Sequence, residues 1–220
     1  MIRAILFDLD GTLADTAPDL GAALNRLLAE EGRAPVGYEA IRPVASHGAR
    51  GLIELGFGLG RDHPEFDALR QRFLDHYEHH FCEHSKLFEG VNATLEALAA
   101  KGLAWGIVTN KPMRFTDRLV PNLGLTVPPG VVVSGDTVGV AKPDPRPMRY
   151  AADQLGLPAE ECWYVGDAER DIAAGRAVGM KTVLADYGYI ASTDSPDEWG
   201  ADLRIAHPFE LLAHLALPGD

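Results

Sequence analysis

The stretch Ile2-Arg3-Ala4-Ile5-Leu6-Phe7-Asp8-Leu9-Asp10-Gly11-Thr12 decides the reading of the whole chain. A mostly apolar run up to Phe7 stops at two aspartates and a glycine, the pattern of a short buried strand ending in a polar turn. Gly11 permits a tight turn that brings backbone N–H groups close to an anion. Helical periodicity then sets in from Pro18, with Leu20, Ala23, Leu24, Leu27 and Leu28 on one face. Thr16 reads as the N-cap, Pro18 suits the first turn, and Gly32 ends the helix.

Beyond Gly32 the chain shows helical patterns and glycine-rich loops, with no convincing strand before about Phe88. Phe66 to Phe81 reads as another helix. After Gly90 the character changes. Helices at Ala93–Lys101, Met113–Asn122, Pro145–Leu155 and Asp171–Val178 alternate with apolar runs at Leu103–Val108, Val131–Val133, Trp163–Val165 and Thr182–Ala185. Short buried strands alternating with helices predict an α/β fold, a Rossmann-like doubly wound parallel sheet with helices on both faces. The helical block interrupts that pattern after its first strand. The expected organisation is a core domain of residues 1–14 and 85–220 with an inserted helical domain at 15–84.

The chain has 220 residues, 46% hydrophobic and 24% charged, with a formal net charge of −12. A surface this acidic repels nucleic acid and anionic membranes, because binding to phosphate backbones requires clustered Lys and Arg. An acidic protein that handles an anionic substrate needs local positive charge, from a metal or a placed lysine. Cys82 and Cys162 are isolated and form no motif, as expected in a reducing compartment. Met1 to Phe7 is too short for a signal-peptide core and no run approaches a membrane span, so a cytoplasmic protein is expected.

Four segments each follow a predicted strand, where ligands bind in open α/β sheets. They are Asp8-Leu9-Asp10-Gly11-Thr12, Val108-Thr109-Asn110, Lys142-Pro143-Asp144-Pro145 and Gly166-Asp167-Ala168-Glu169-Arg170-Asp171. Taken singly, each has an ordinary explanation as a solvated turn, a helix cap or a surface lysine. Together and in this order they resemble the four motifs of the haloacid dehalogenase-like hydrolase superfamily. The resemblance spans nearly the whole chain, since the helical insert is similar to that superfamily's first type of cap domain.

The chemistry of the residues runs parallel to the resemblance. Phosphoryl transfer depends on positioning and charge neutralisation. Asp8 as nucleophile must approach a phosphate dianion, and Mg²⁺ held by hard oxygens such as those of Asp8 and Asp167 offsets the repulsion. The resemblance adds the backbone carbonyl of Asp10 as a metal ligand. Lys142 supplies a fixed cation, and Pro143 biases it toward an extended loop. Thr109 donates its hydroxyl to a phosphate oxygen, and Asn110 belongs to the same phosphate-binding segment. Asp171, four residues after Asp167, shares its face if that turn is helical, in a supporting or secondary metal role. Gly11 and Thr12 shape the turn. Asp10 can protonate the leaving alcohol and then take a proton from the attacking water. In this superfamily an Asp at that position points to phosphatases and phosphomutases.

Cap loops in the superfamily reach over the active site, which makes His47 and Arg50 of Ser46-His47-Gly48-Ala49-Arg50 the expected substrate readers. Arg50 suits a carboxylate or a sugar oxygen. The cluster His76, His79, His80, Cys82 and His84 matches no standard zinc spacing and reads as a solvated helix end. Gly56-Phe57-Gly58-Leu59-Gly60 fails as a dinucleotide fingerprint because Arg61 stands where glycine is needed. Within the superfamily, Asp8 to Thr12 with Thr109-Asn110-Lys111-Pro112 resembles the phosphoglycolate phosphatase branch. Ser46 to Arg50, His84 to Phe88, Trp105 to Asn110 and Tyr187-Gly188-Tyr189-Ile190 are further similar to bacterial N-acetylmuramic acid 6-phosphate phosphatases of cell-wall recycling. The implied partner is a small phosphorylated metabolite. A sugar phosphomutase would use the same two aspartates. A phospho-accepting signalling module of the receiver type shares the acidic residues, Thr and Lys, but is about half this length and lacks the D-x-D spacing.

Overall fold

The computed structural model describes residues 2–215. The chain opens with β1 (Ala4–Phe7) and a two-residue strand β2 (Ala14–Asp15). Four helices follow: α1 (Ala17–Glu30), α2 (Tyr38–Ile41), α3 (Gly48–Phe57) and α4 (Phe66–His79), with a 3₁₀ helix at Arg42–His47 between α2 and α3. After β3 (Lys86–Leu87) come α5 (Val91–Ala100), β4 (Ala104–Val108), α6 (Met113–Asn122) and β5 (Val131–Val133). The chain continues through α7 (Arg146–Gln154), β6 (Cys162–Gly166), α8 (Glu169–Arg176), β7 (Lys181–Ala185) and β8 (Leu203–Ile205).

Six strands form one parallel sheet in the order β5-β4-β1-β6-β7-β8. All four residues of β1 are buried, as a central parallel strand covered on both faces requires. Ile5 and Phe7 point into one core with Leu95 and Leu98 of α5, while Ala4 and Leu6 point into the other with Met148 and Ala151 of α7. β4 and β6 flank β1 on opposite sides, so the chain changes direction there and a crevice opens beyond the carboxyl end of β1.

The helices between β2 and β3 carry a separate apolar core. Leu20, Leu24, Leu27 and Leu28 of α1 pack on Leu52 and Ile53 of α3 and on Phe66, Phe73 and Tyr77 of α4. The periodic stripe read from the sequence is the buried face of α1. The strands at the base of this layer, β2 and β3, pair antiparallel through Ala14 with Leu87 and Asp15 with Lys86. Both are two residues long, too short for a periodic signal, and the sequence reading missed them. It also missed β8, which is three residues long and lies beyond the last apolar run recognised. No helix among the described residues is long and apolar enough to cross a membrane. Residues 216–220 of the expected core domain lie outside the described residues.

Asp19 ties the start of α1 to the segment that precedes β3. It is buried on α1, and its carboxylate accepts from His84 N–H (2.9 Å), Ser85 N–H (2.8 Å) and the Ser85 hydroxyl (2.6 Å). Asp19→Ala leaves those backbone donors without a partner, at a cost of about 3 kcal/mol. Urea unfolding of the variant checks this; an unchanged midpoint would show that the two segments hold without it.

Candidate active site

The four sequence segments converge at the carboxyl ends of β1, β4 and β6. Asp8 follows β1 directly and is 2% exposed. Its Oδ1 accepts from Leu9 N–H at 2.8 Å and lies 2.9 Å from Lys142 Nζ. No hydrogen bond engages its Oδ2 among the described residues. Lys142 is enclosed completely: its ammonium also meets Asp171 Oδ1 (2.7 Å), the Val108 carbonyl (2.8 Å) and the Tyr164 hydroxyl (2.7 Å). The Tyr164 hydroxyl itself donates to the Val108 carbonyl. The lysine's loop is held by Asn110, whose amide donates to the Lys142 carbonyl and accepts from its N–H. The Lys142–Pro143 peptide is cis.

Asp167 lies between β6 and α8, fully buried. Its Oδ1 accepts from the Thr12 hydroxyl, and its Oδ2 accepts from Tyr189 N–H and from the Ser46 hydroxyl of the helical layer. The close approach depends on glycines. A Cβ at Gly11, where φ is +84°, would overlap the Asp167 carboxylate, and one at Gly188 would strike the Asp167 side chain and the Gly11 carbonyl. The expectation that Asp171 shares a helical face with Asp167 fails, because α8 begins only at Glu169. Asp171 instead accepts from Ala168 N–H through Oδ2 and turns Oδ1 to Lys142.

Asp8, Asp167 and Asp171 each offer a carboxylate oxygen within 4.8 Å of the others. Burial pushes Asp8 up to about 7, against the pull of Lys142 and with Asp171 adding to the rise. Burial and then Asp171 raise Asp167 as well. Unmet negative charge among hard oxygens fits a divalent cation, which would return these groups to the ionised form. The Asp10 carboxylate stands apart from this cluster. Its Oδ1 accepts from the Thr16 hydroxyl (2.5 Å) and pairs with Lys111 Nζ (3.0 Å). Burial works against the Lys111 charge, but Asp10 and the facing Tyr77 outweigh it and hold the ammonium above its usual range. Thr109 is buried, and its hydroxyl accepts from Lys111 N–H, so its proton remains available to an anion.

A cavity of about 690 Å³ opens above Asp8 and Asp10, between the sheet and the helical layer. Thr109, Asn110 and Arg170 line it from the sheet side; His47 and Arg50 line it from the helical layer. His47 is lowered from its ordinary value by partial burial and by Arg170.

Comparison with known proteins agrees with this geometry. The family model for haloacid dehalogenase-like hydrolases matches residues 5–185. The chain belongs to that family. It is 44% identical to an N-acetylmuramic acid 6-phosphate phosphatase of Pseudomonas aeruginosa, covering 96% of this chain and 93% of the relative. It is 42% identical to a phosphoglycolate phosphatase of Xanthomonas campestris, covering 98% and 97%. The crystal structure of a predicted phosphoglycolate phosphatase from Haemophilus somnus matches with a TM-score of 0.83 at 26% identity, covering 98% of both chains. A haloacid dehalogenase-like hydrolase of Streptococcus pneumoniae shares the fold, with a TM-score of 0.84 at 21% identity and 98% and 99% coverage. With phosphatases matching along nearly its whole length, this haloacid dehalogenase-like protein is a phosphatase-type hydrolase.

Four residues of this haloacid dehalogenase-like site had been given no role in the sequence. Lys111 and Arg170 sat inside recognised segments, and only the fold shows that they face Asp10 and the cavity. Ser46 lies beside the residues chosen as readers, yet bonds Asp167 across 121 positions. Tyr189 belonged to a quoted segment with no function attached. Among the described residues the histidine cluster forms no metal group; His76 pairs with Glu30 and His80 with Glu83.

The raised Asp8 sets a pH dependence. Between its ordinary value near 3.8 and its native value of about 7, the metal-free native state keeps a proton that the unfolded chain releases. Stability of the metal-free protein therefore falls as pH rises through that window. Urea midpoints in EDTA should drop from pH 5 to pH 7.5, Mg²⁺ should restore the midpoint at pH 7.5, and Asp8→Asn should flatten the metal-free trend. A flat profile in the wild-type protein would contradict the charge account.

Proposed function

We propose that the protein is a Mg²⁺-dependent phosphomonoester phosphatase that works through an aspartyl-phosphate on Asp8. The observation that carries the reading is Asp8 itself: one oxygen fixed by Leu9 N–H and Lys142, the other unengaged, beneath a cavity shared with Asp10. Asp8, Asp167 and Asp10 would hold Mg²⁺, with Asp171 behind them, and the ion would neutralise the charge of the phosphoryl group. Asp8 Oδ2 attacks phosphorus while Asp10 gives its proton to the departing alkoxide. Asp10 then takes a proton from the water that attacks the aspartyl-phosphate, releasing phosphate and restoring Asp8. The Thr109 hydroxyl, on the cavity wall, would donate to a phosphoryl oxygen, while the enclosed Lys142 acts through the Asp8 oxygen that it holds.

The helical layer acts as a cap, opening and closing about linkers near Asp15 and His84. The cavity supports a substrate larger than a two-carbon acid. Leu20, Phe73, Leu74 and Tyr77 give it an apolar wall, and Arg50 and Arg70 project to it from α3 and α4. Among the described residues neither arginine has an ion-pair partner, whereas Arg72, next to Phe73 on α4, is held by Glu30 and Glu31. Two unpaired guanidinium groups suit a carboxylate. N-Acetylmuramic acid 6-phosphate combines a phosphate, a carboxylate and methyl groups on a sugar frame, and the relative from Pseudomonas aeruginosa bears that name. The second reading, 2-phosphoglycolate, is favoured by the relative from Xanthomonas campestris.

The two substrates compared by kcat/KM with Mg²⁺ decide between these readings. A preference of ~100-fold for the sugar, about 2.7 kcal/mol, is expected; a preference for phosphoglycolate overturns the sugar assignment. Asp8→Asn should abolish turnover while leaving ligand binding largely intact, and Asp10→Asn should slow both half-reactions. Arg70→Ala should raise KM by about 10-fold, roughly 1.4 kcal/mol, with a smaller effect on kcat.

A further inference from the structure

Helix α1 begins without its own cap. Thr16 occupies the N-cap position, as the sequence predicts, yet its side chain makes no cap hydrogen bond; its hydroxyl donates to Asp10. The first amides of the helix are served from 170 residues away. The Tyr189 hydroxyl, buried, accepts from Thr16 N–H at 2.7 Å and Ala17 N–H at 2.9 Å and donates to Asp15 Oδ1 at 2.7 Å. All three capacities of the phenol are used. Pro18 brings no N–H, so the phenol answers the two leading donors of the turn. The backbone N–H of the same tyrosine holds Asp167 Oδ2. Its loop is fixed in turn from the helical layer by Arg42, which donates to the carbonyls of Tyr187 (2.8 Å) and Gly188 (3.0 Å) and sits over the Tyr189 ring.

We propose that Tyr189 is a positioning residue for the reaction: its hydroxyl holds the Thr16 and Ala17 amides and so fixes the backbone from which the Thr16 hydroxyl reaches Asp10. The proposal rests on the reading of Asp10 as the proton-transfer group. Thr16 and Lys111 both engage Asp10 Oδ1, so Oδ2 is the oxygen left for the leaving group and the water. Without the phenol the leading amides of α1 lose their partner, and the Thr16 backbone is no longer pinned where its hydroxyl meets Asp10. Asp10 would lose one of its two anchors.

A double-mutant cycle tests this. Tyr189→Phe keeps the ring and removes the hydroxyl. It should lower kcat by about 10-fold with KM nearly unchanged, a modest share of a general acid/base contribution. Thr16→Val should do the same, Thr16→Ser should recover activity, and the double variant should be no slower than either single one. Multiplicative losses in the double variant, or an unchanged kcat in Thr16→Val, overturn the proposal; the threonine arm stands even where Tyr189→Phe does not fold. The crystal structure of Tyr189→Phe tests the coupling apart from any activity. Thr16 Oγ1 should move out of hydrogen-bond distance of Asp10, and a threonine still on Asp10 overturns the proposal. A wild-type protein inert toward every phosphomonoester would refute the phosphatase reading while leaving the crystallographic result to judge the coupling.

Discussion

The Lys142 ammonium, closed off from solvent between Asp8 and Asp171, is the interaction on which the rest of the site depends. An isolated charge at that depth would be too costly to keep, and the lysine is tolerated because every neighbour is an oxygen. Those oxygens come from four places in the chain: the end of β1, the end of β4, Tyr164 on β6 and Asp171 on α8. The lysine therefore fixes the spacing of the strand ends. It also leaves the cluster short of positive charge, as the raised Asp8 and Asp167 show. That deficit is what a hard divalent cation would settle, and the ion would also offset the charge of an incoming phosphoryl group.

The division between the two ends of each aspartate gives the site its directionality. Asp8 Oδ1 is anchored and Oδ2 is open; Asp10 Oδ1 is anchored and Oδ2 is open. The anchors of Asp8 lie in the sheet domain. Those of Asp10 lie at the boundary with the helical layer, on Thr16 and on Lys111 beneath the Tyr77 ring. The proposed proton-transfer group is thereby placed where movement of that layer is felt, while the nucleophile is not. Ser46 and Arg170 close the same boundary, the first on Asp167 and the second through the Ser46 carbonyl.

Much of the fold was legible because its signals are local. The apolar run before Asp8, the leucine stripe of α1 and the strand-helix alternation after Gly90 each lie within one element, where periodicity reports burial. The strand-end placement of Asp8, Thr109 and Asp167 followed from the same alternation. What escaped was short or distant. β2, β3 and β8 have too few residues to show a period. Tyr189 meets Thr16 across 173 positions and Ser46 meets Asp167 across 121, separations that no local pattern records. Thr16 stands at the N-cap position read from its own turn, but the partner of its hydroxyl, Asp10, is fixed only in three dimensions.

The central claim is covalent chemistry at Asp8, and rapid acid quench during turnover tests it most directly. The protein, mixed with Mg²⁺ and its substrate and quenched within one turnover, is digested and its peptides are weighed. The account predicts a phosphoryl group on the peptide carrying Asp8, absent from Asp8→Asn and longer-lived in Asp10→Asn. Full turnover with no phosphorylated peptide, or with the phosphoryl group on another segment, would contradict it.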